Sequence, residues 1–326
     1  SLVGSEMCIR DRFQVSTEEV ELVLRVLVEG GQEPVGSMGD DTPLPVLSRH
    51  TRSLFDYFRQ QFAQVTNPAI DPLREQLVMS LQTRIGSERN IFIEDAEHAA
   101  RIVINSPVLS TSKFTQLLSV DDDRYRHYMI DLNRAAGLNL VAALRDICHQ
   151  AERAVRSGNT LIVLTDRNLV EGSVPVHALL ATGAVHHHLI NSGLRSKANI
   201  LVETGTARNS HEFAVLIGFG ATAVYPYLAY QCACELTNCT EVPAAAEHMN
   251  MYRRGINKGL YKILSKMGIS TITSYRGAQL FEAVGLNSEV VDLCFCGMTC
   301  RIQGTGFREL QRDQQQLALR AWDTHA

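Results

Sequence analysis

Apolar and polar positions along the chain fall into stretches of two alternating periods. Residues 17–31, TEEVELVLRVLVEGG, repeat apolar side chains at helical spacing behind an acidic first turn and stop at Gly-Gly, which predicts a helix. SLFDYFRQQFAQ (53–64) carries an aromatic-rich helical pattern, and RIVINSPVL (101–109) a short β-rich run that ends at Ser-Pro. HYMIDLN (127–133) reads as a strand, and LVAALRDICHQAERAVRSG (140–158) as a helix closed by glycine. TLIVLTDRN (160–168) is the clearest buried strand, a continuous apolar run ending in Thr-Asp-Arg, as where a parallel strand meets its loop.

The alternation continues with a helical 174–194, a strand at ANILVETG (198–205), a helix over 207–220 and a strand with its exit loop over 221–230. A long helix around 251–268, the strand ISTITS (269–274) and the helix RGAQLFEAVGL (276–286) follow. This order predicts an α/β architecture with a mainly parallel sheet, and periodicity alone leaves open whether it closes like a TIM barrel. Between the first elements lie two loops that cannot be regular helix, EPVGSMGDDTPLPVLS (33–48) and VTNPAIDPLRE (65–75), rich in Gly, Asp and Pro. Loops of this kind, held on one face by βα units, are where function concentrates.

With 326 residues, 45% hydrophobic and 20% charged, the chain can bury one large core or two smaller ones. A net charge of −4 gives no support for nucleic-acid binding. The longest apolar run, AVLIGFGATAV, is short and broken by glycine, so no membrane span is expected. Eight cysteines are too sparse for a disulfide scaffold and read as reduced thiols. The first residues, 1–12, SLVGSEMCIRDR, resemble a translated sequencing adapter and are set aside from the fold reading. They lack the basic start and apolar core of a signal peptide. Residues 13–310 are expected to form the domain, and 311–326 a polar helix leading toward a further one.

Several clusters invite a chemical reading. His186, His187 and His188 are consecutive, so on a helix they point about 100° apart and cannot share one ion. Helix ligand pairs stand at i,i+3 or i,i+4 instead. Cys232, Cys234 and Cys239, and again Cys294, Cys296 and Cys300, lack the C-x-x-C spacing of zinc ribbons, and their apolar neighbours fit buried thiols. No nucleophile elbow, Walker loop or dinucleotide fingerprint is present. Asp166 and Glu203 each follow an apolar strand and could meet at one sheet end as an acid/base pair, or simply cap helices and bind arginines. Residues 274–277, Ser-Tyr-Arg-Gly, lie between a predicted strand and helix, where a phosphate or flavin can sit.

The stretches EPVGSMGDDTPLPVLS, LFDYFRQQFAQVTNPAIDPLREQLVMSL, GAVHHHLINSGLRSKANILVETG and INKGLYKILSKMGISTITSYRGAQLFEAVGL resemble the central domain of the glutamate synthase large chain. The likeness runs from about residue 13 to the C-terminus, nearly without gaps. It implies an α/β barrel-like domain without a cofactor of its own. It places that domain between an amidotransferase that releases ammonia from glutamine and a barrel that binds FMN and an iron–sulfur cluster. There the ammonia adds to 2-oxoglutarate and reduced FMN completes glutamate.

On that resemblance, the chain is a linking piece that helps wall the ammonia tunnel, with no catalytic, cofactor or metal residue of its own. The piece alone is expected to be inactive. Met38 and Thr66 are the candidate lining residues, with Ser37 and Asn67 as supports; Met38 as a core filler is the competing reading. Expected partners are the amidotransferase and FMN domains of the same parent chain. For the whole enzyme they include ferredoxin or a small NADPH-oxidising subunit, in a bacterial cytoplasm or a plastid stroma. The alternative is a self-contained flavin- or phosphate-binding barrel enzyme, with the 274–277 loop on the phosphate. On the resemblance, Lys266 and Arg276 read instead as interface or helix-end charges.

Overall fold

Four of the apolar runs become the strands of one parallel sheet. In the computed structural model, which describes residues 2–36, 43–61, 66, 70, 71, 74–237 and 242–322, these are β1 (His127–Asp131), β2 (Leu161–Thr165), β3 (Asn199–Glu203) and β4 (Ala223–Tyr225). They lie side by side in chain order, with Leu161 opposite both His127 and Asn199, and Leu201 opposite Ala223. A parallel bridge from Val224 to Val108 extends the sheet beyond β4. Every residue of β2 and β3 is buried, as a strand covered by helices on its faces requires. Each Leu, Ile or Val there gains about 1.5–3 kcal/mol by leaving water, so a charged residue at Val163 would break the middle of the sheet.

The connecting helices follow from their patterns. The helix α1 (Leu140–Arg156) buries Leu140, Ala143, Leu144, Ile147, Ala151 and Ala154, one stripe at three- and four-residue spacing. The Asn139 side chain caps its first turn by accepting from the Ala142 amide at 3.1 Å. Gly158, at φ +88°, turns the chain back toward β2. Between β2 and β3, α2 (Ala178–Asn191) is buried on nearly all sides, because it packs on the sheet, on α1 and on the helix Ser288–Cys294. The crossover from β3 to β4 is α3 (Ser210–Gly218), and Val242–Met267 forms the long helix foreseen in the sequence. Sequential parallel strands joined by helices meet the α/β expectation, and their order is that of consecutive barrel strands. Among the described residues the sheet remains an open arc: β1 is its edge, with Tyr128 and Met129 exposed.

Residues 174–175, expected to open a helix, belong to the strand Ser173–Pro175, residues 227–230, expected as an exit loop, open the helix Tyr227–Leu236, and two longer stretches are recast. Within 53–64, Leu54–Tyr57 is a 3-10 turn and Phe58–Gln60 a strand, not a helix. The strand pairs antiparallel with Phe281–Ala283, and the Phe58 ring meets Phe219 and Phe295 edge-on at 5.3 and 4.9 Å. Aromatic packing from distant segments overrides the local period. The second is the pair expected over 269–286. Thr271 makes only an isolated bridge to Ser80, Ile272–Tyr275 is one helical turn, and the expected helix contains the strand Phe281–Ala283. Gly277 at φ +67° and Gln279 at φ +54° forbid a helix here.

Residues 2–12, set aside in the sequence reading, form a helix packed along the C-terminal helix Phe307–Trp322. That last helix is itself docked. Gln311 accepts from the Leu140 amide at 2.8 Å, and Gln315 donates to the Ala136 carbonyl at 2.6 Å.

Candidate functional site

In parallel α/β folds, chemistry collects beyond the carboxyl ends of the strands. Here those ends carry Asp166 after β2 and Glu203 closing β3. The two carboxylates share one sheet end, as the sequence suggested, and each is answered by its neighbours. Asp166, 1% exposed, accepts from the Thr204 hydroxyl and from the Gly205 amide at 2.9 Å. Burial pushes its carboxyl up to about 6 against these hydrogen bonds, with Glu203 adding to the rise. Glu203 accepts from the Thr165 hydroxyl at 2.7 Å and from Arg167 Nη1 at 3.0 Å. Its partners are the arginine and hydroxyl that the structural reading of strand-end carboxylates calls for.

Around Asp166 stand groups that the sequence did not single out. The guanidinium of Arg12 is buried and donates to Gln314 Oε1 at 2.8 Å. Burial lowers it to about 10, opposed by the charge of Asp166. His177 is buried and pushed down to about 3 by burial, then by Arg12 and Arg208, so it is neutral; its Nδ1 accepts from the Leu179 amide at 3.2 Å. Arg208, also buried, donates to Glu19 Oε1 at 2.7 Å and to the Gly205 carbonyl at 3.0 Å. Glu212 accepts from the Arg208 and Asn209 amides in a capping box, and burial pushes it up to about 7. Tyr227 is raised well above its ordinary value by burial and by Asp166, and its hydroxyl meets no partner in hydrogen-bonding geometry. Arg167 stacks over the Tyr227 ring, 5.3 Å from its centroid.

Of these, only Glu212 carried a local signal, the Asn-x-x-Glu spacing of a helix start. Arg12 lay in a segment set aside, and His177 follows a strand with no pattern to mark it. The space among Arg12, Asp166, His177 and Arg208 is about 30 Å³, the size of one water molecule. It is a narrow ionic chamber, far smaller than the few hundred Å³ that small-molecule sites occupy.

The other predicted positions lie apart. Thr66 is exposed in a bend. Ser37, Met38 and Asn67 lie outside the described residues, as does Cys239. In the 274–277 loop, Tyr275 accepts from Gln60 Nε2 at 2.6 Å, Ser274 bonds Thr271 at 2.9 Å, and half-buried Arg276 donates to the Ala221 carbonyl at 3.1 Å. Of these polar groups the Tyr275 ring is buried and Arg276 half-buried, while Ser274 stays exposed. Cys232 and Cys294 are buried, while Cys234 and Cys300 are half-buried and Cys296 is exposed. The three consecutive histidines diverge as their spacing requires: His186 accepts from Arg195 Nε at 2.9 Å, whereas His188 faces Glu152 on α1.

Comparison with known proteins adds a consistent picture. Residues 10–287 match the family described as the glutamate synthase central domain. The chloroplastic ferredoxin-dependent glutamate synthase of Oryza sativa is 43% identical over 324 residues, an alignment covering 92% of this chain and 20% of that protein. The NADPH-type large chain of Bacillus subtilis is 40% identical, over 95% of this chain and 20% of its own length. The NADH-type enzyme of Schizosaccharomyces pombe is 39% identical, over 96% and 15%. The chain therefore spans about a fifth or less of the relatives it matches. Among solved structures, the flavin-binding domain of baker's yeast flavocytochrome b2 aligns over 60% of this chain and 45% of its own, at 14% identity and a TM-score of 0.34. With the family match covering most of its residues, this chain belongs to the glutamate synthase central-domain family.

Proposed function

We propose that the chain works as the linking domain of a glutamate synthase, between an amidotransferase and an FMN-binding domain, and that it helps wall the path of ammonia between them. The parent reaction is then the conversion of L-glutamine, 2-oxoglutarate and a reductant into two molecules of L-glutamate. The observation that carries this reading is the family match over residues 10–287 in a chain that spans about a fifth of its relatives.

The strand ends support a scaffold. A flavin needs a roomy cleft and free phosphate ligands, but the space there is about 30 Å³ and lined by Arg12, Asp166, His177 and Arg208. Arg276 is spent on a backbone carbonyl inside the fold. These residues do not fit FMN, so no step of the chemistry runs through a flavin held by this domain. Nor does the chamber suit ammonia transit, because the Asp166 carboxylate favours the charged ammonium over ammonia and would hold it. A passage needs weakly polar walls that exclude water. The two Gly- and Pro-rich loops offer such walls, with Met38 and Thr66 lining and Ser37 and Asn67 supporting.

The C-terminal helix presents Leu319, 74% exposed, beside Ala136, Val174 and Trp322, along a groove of about 590 Å³. Residues 311–326 then lead toward the flavin-binding domain across this apolar face. The electron donor is ferredoxin or a pyridine-nucleotide-oxidising subunit, since relatives of both types are about equally similar. The compartment is a bacterial cytoplasm or a plastid stroma, and among the described residues no helix is long and apolar enough to cross a membrane.

The test uses an intact parent enzyme containing this domain. Met38→Trp should depress glutamine-dependent glutamate formation at least tenfold while glutamine hydrolysis continues; undiminished coupling overturns the lining role. A visible spectrum of the purified chain provides the second arm, where stoichiometric bound flavin overturns the scaffold reading.

A further inference from the structure

The histidine triplet on α2 cannot hold an ion by itself, but its last member meets a second helix. On α1, His149 and Glu152 stand at i,i+3, the spacing that places two ligands on one helix face. His188 Nε2 lies 2.7 Å from Glu152 Oε2, and the rings of His149 and His188 meet edge-on with centroids 5.5 Å apart. One ligating atom from each of the three residues falls within 4.8 Å of the other two. Among the described residues this is the only set of three His, Cys, Asp or Glu side chains so arranged.

We propose that His149, Glu152 and His188 form a surface site for one divalent transition-metal ion of the zinc class, joining α1 to α2. Two imidazoles and a carboxylate are the donor set that zinc, cobalt and nickel accept, with water completing the shell. Bonds of about 2.0–2.2 Å separate tetrahedral ligand atoms by about 3.3–3.5 Å. His188 and Glu152 need only open by a fraction of an ångström, and exposed His149 can close the longer gaps by a side-chain rotation. Glu152 is pre-oriented: its Oε1 accepts from Arg156 at 2.9 Å, which turns Oε2 toward the histidines. The same guanidinium is a positive charge beside the site and holds the affinity down. Because the ligands come from two crossover helices, a bound ion clamps these helices over the sheet and stabilises the folded chain.

The experiment is cobalt(II) titration of the purified chain near neutral pH, followed by visible absorption and calorimetry, then repeated with zinc. The expected result is one ion per chain, a d–d spectrum without the charge-transfer band of thiolate ligation, and a higher melting temperature with zinc. His149→Ala and His188→Gln should each weaken binding by about tenfold or more, and remove the thermal shift while unfolding normally in chelator. Arg156→Gln should tighten it. Absence of binding, a thiolate band, or binding unchanged in the His149→Ala/His188→Gln double variant overturns the proposal.

Discussion

Thr204 and Asp166 join the ends of two neighbouring parallel strands, the threonine hydroxyl donating to the aspartate carboxylate. The Gly205 amide donates to the same side chain, so one buried carboxylate ties the β3 exit to the β2 exit. Asp166→Ala leaves the Gly205 amide without its acceptor, while the Thr204 hydroxyl can turn to Thr206 Oγ1 at 2.9 Å, and should cost about 1–3 kcal/mol by urea unfolding. A double-mutant cycle with Thr204→Val should return a coupling of at least about 0.5 kcal/mol. Additive losses would mean that the two residues act independently.

Protonation of this region has a definite pH signature. Burial raises Asp166 to about 6 and Glu212 to about 7, so the folded chain holds these protons more tightly than the unfolded chain. The stabilisation they give is complete below about pH 4 and is lost as the pH rises through 6 and 7. His177 runs oppositely: lowered to about 3, its contribution is complete above about pH 6.5 and is lost as the pH falls toward 3. Relative to the parent chain, Asp166→Asn should gain stability steadily between about pH 4 and 6, and His177→Gln should lose less on acidification below about pH 6.5. Unfolding curves across that range check both slopes.

Gly183 on α2 lies where an added Cβ would come 2.1 Å from the Cys294 carbonyl oxygen. Backbone is the obstacle, so a side chain cannot swing aside to relieve it. Gly183→Ala should destabilise the chain by about 1–3 kcal/mol or more, through the shift it forces between α2 and the helix Ser288–Cys294. A melting temperature equal to that of the parent would show that the two helices separate freely.

Thiol reactivity should divide the cysteines by burial. Cys296 is exposed, whereas burial pushes Cys148 up to about 12 and Cys294 well above its ordinary value. A limiting amount of alkylating reagent, mapped by mass spectrometry, should modify Cys296 in the folded chain and reach Cys148 and Cys294 only on unfolding.

If the last helix seats a neighbouring domain, Leu319 carries part of that contact. Leu319→Glu should change the stability of this chain by no more than about 0.5 kcal/mol, since the side chain already faces water. In the intact parent it should weaken coupled glutamate formation. Full coupling in that variant would remove Leu319 from the interface.

Elements whose burial follows from their own period were legible in the residues alone. LIVLT and NILVE are strands because every position is apolar or satisfied at the strand end, and 140–156 is helical because its apolar stripe repeats at the helical spacing. The long quoted stretches also carried the family, since a match of that length does not depend on knowing the fold. The rest came from long-range packing. Phe58 and Phe281 sit in locally helical patterns but are held in strands by each other's segments and by rings far away in the chain. The ionic chamber assembles Arg12, Asp166, His177 and Arg208 from four separate segments, so no spacing could announce it. His188 stood out as one of three adjacent imidazoles, yet its partners are 36 and 39 positions away on another helix. Local propensity depends on near neighbours, whereas burial, charge pairing and ligand sets are formed by side chains brought together only when the chain closes on its core.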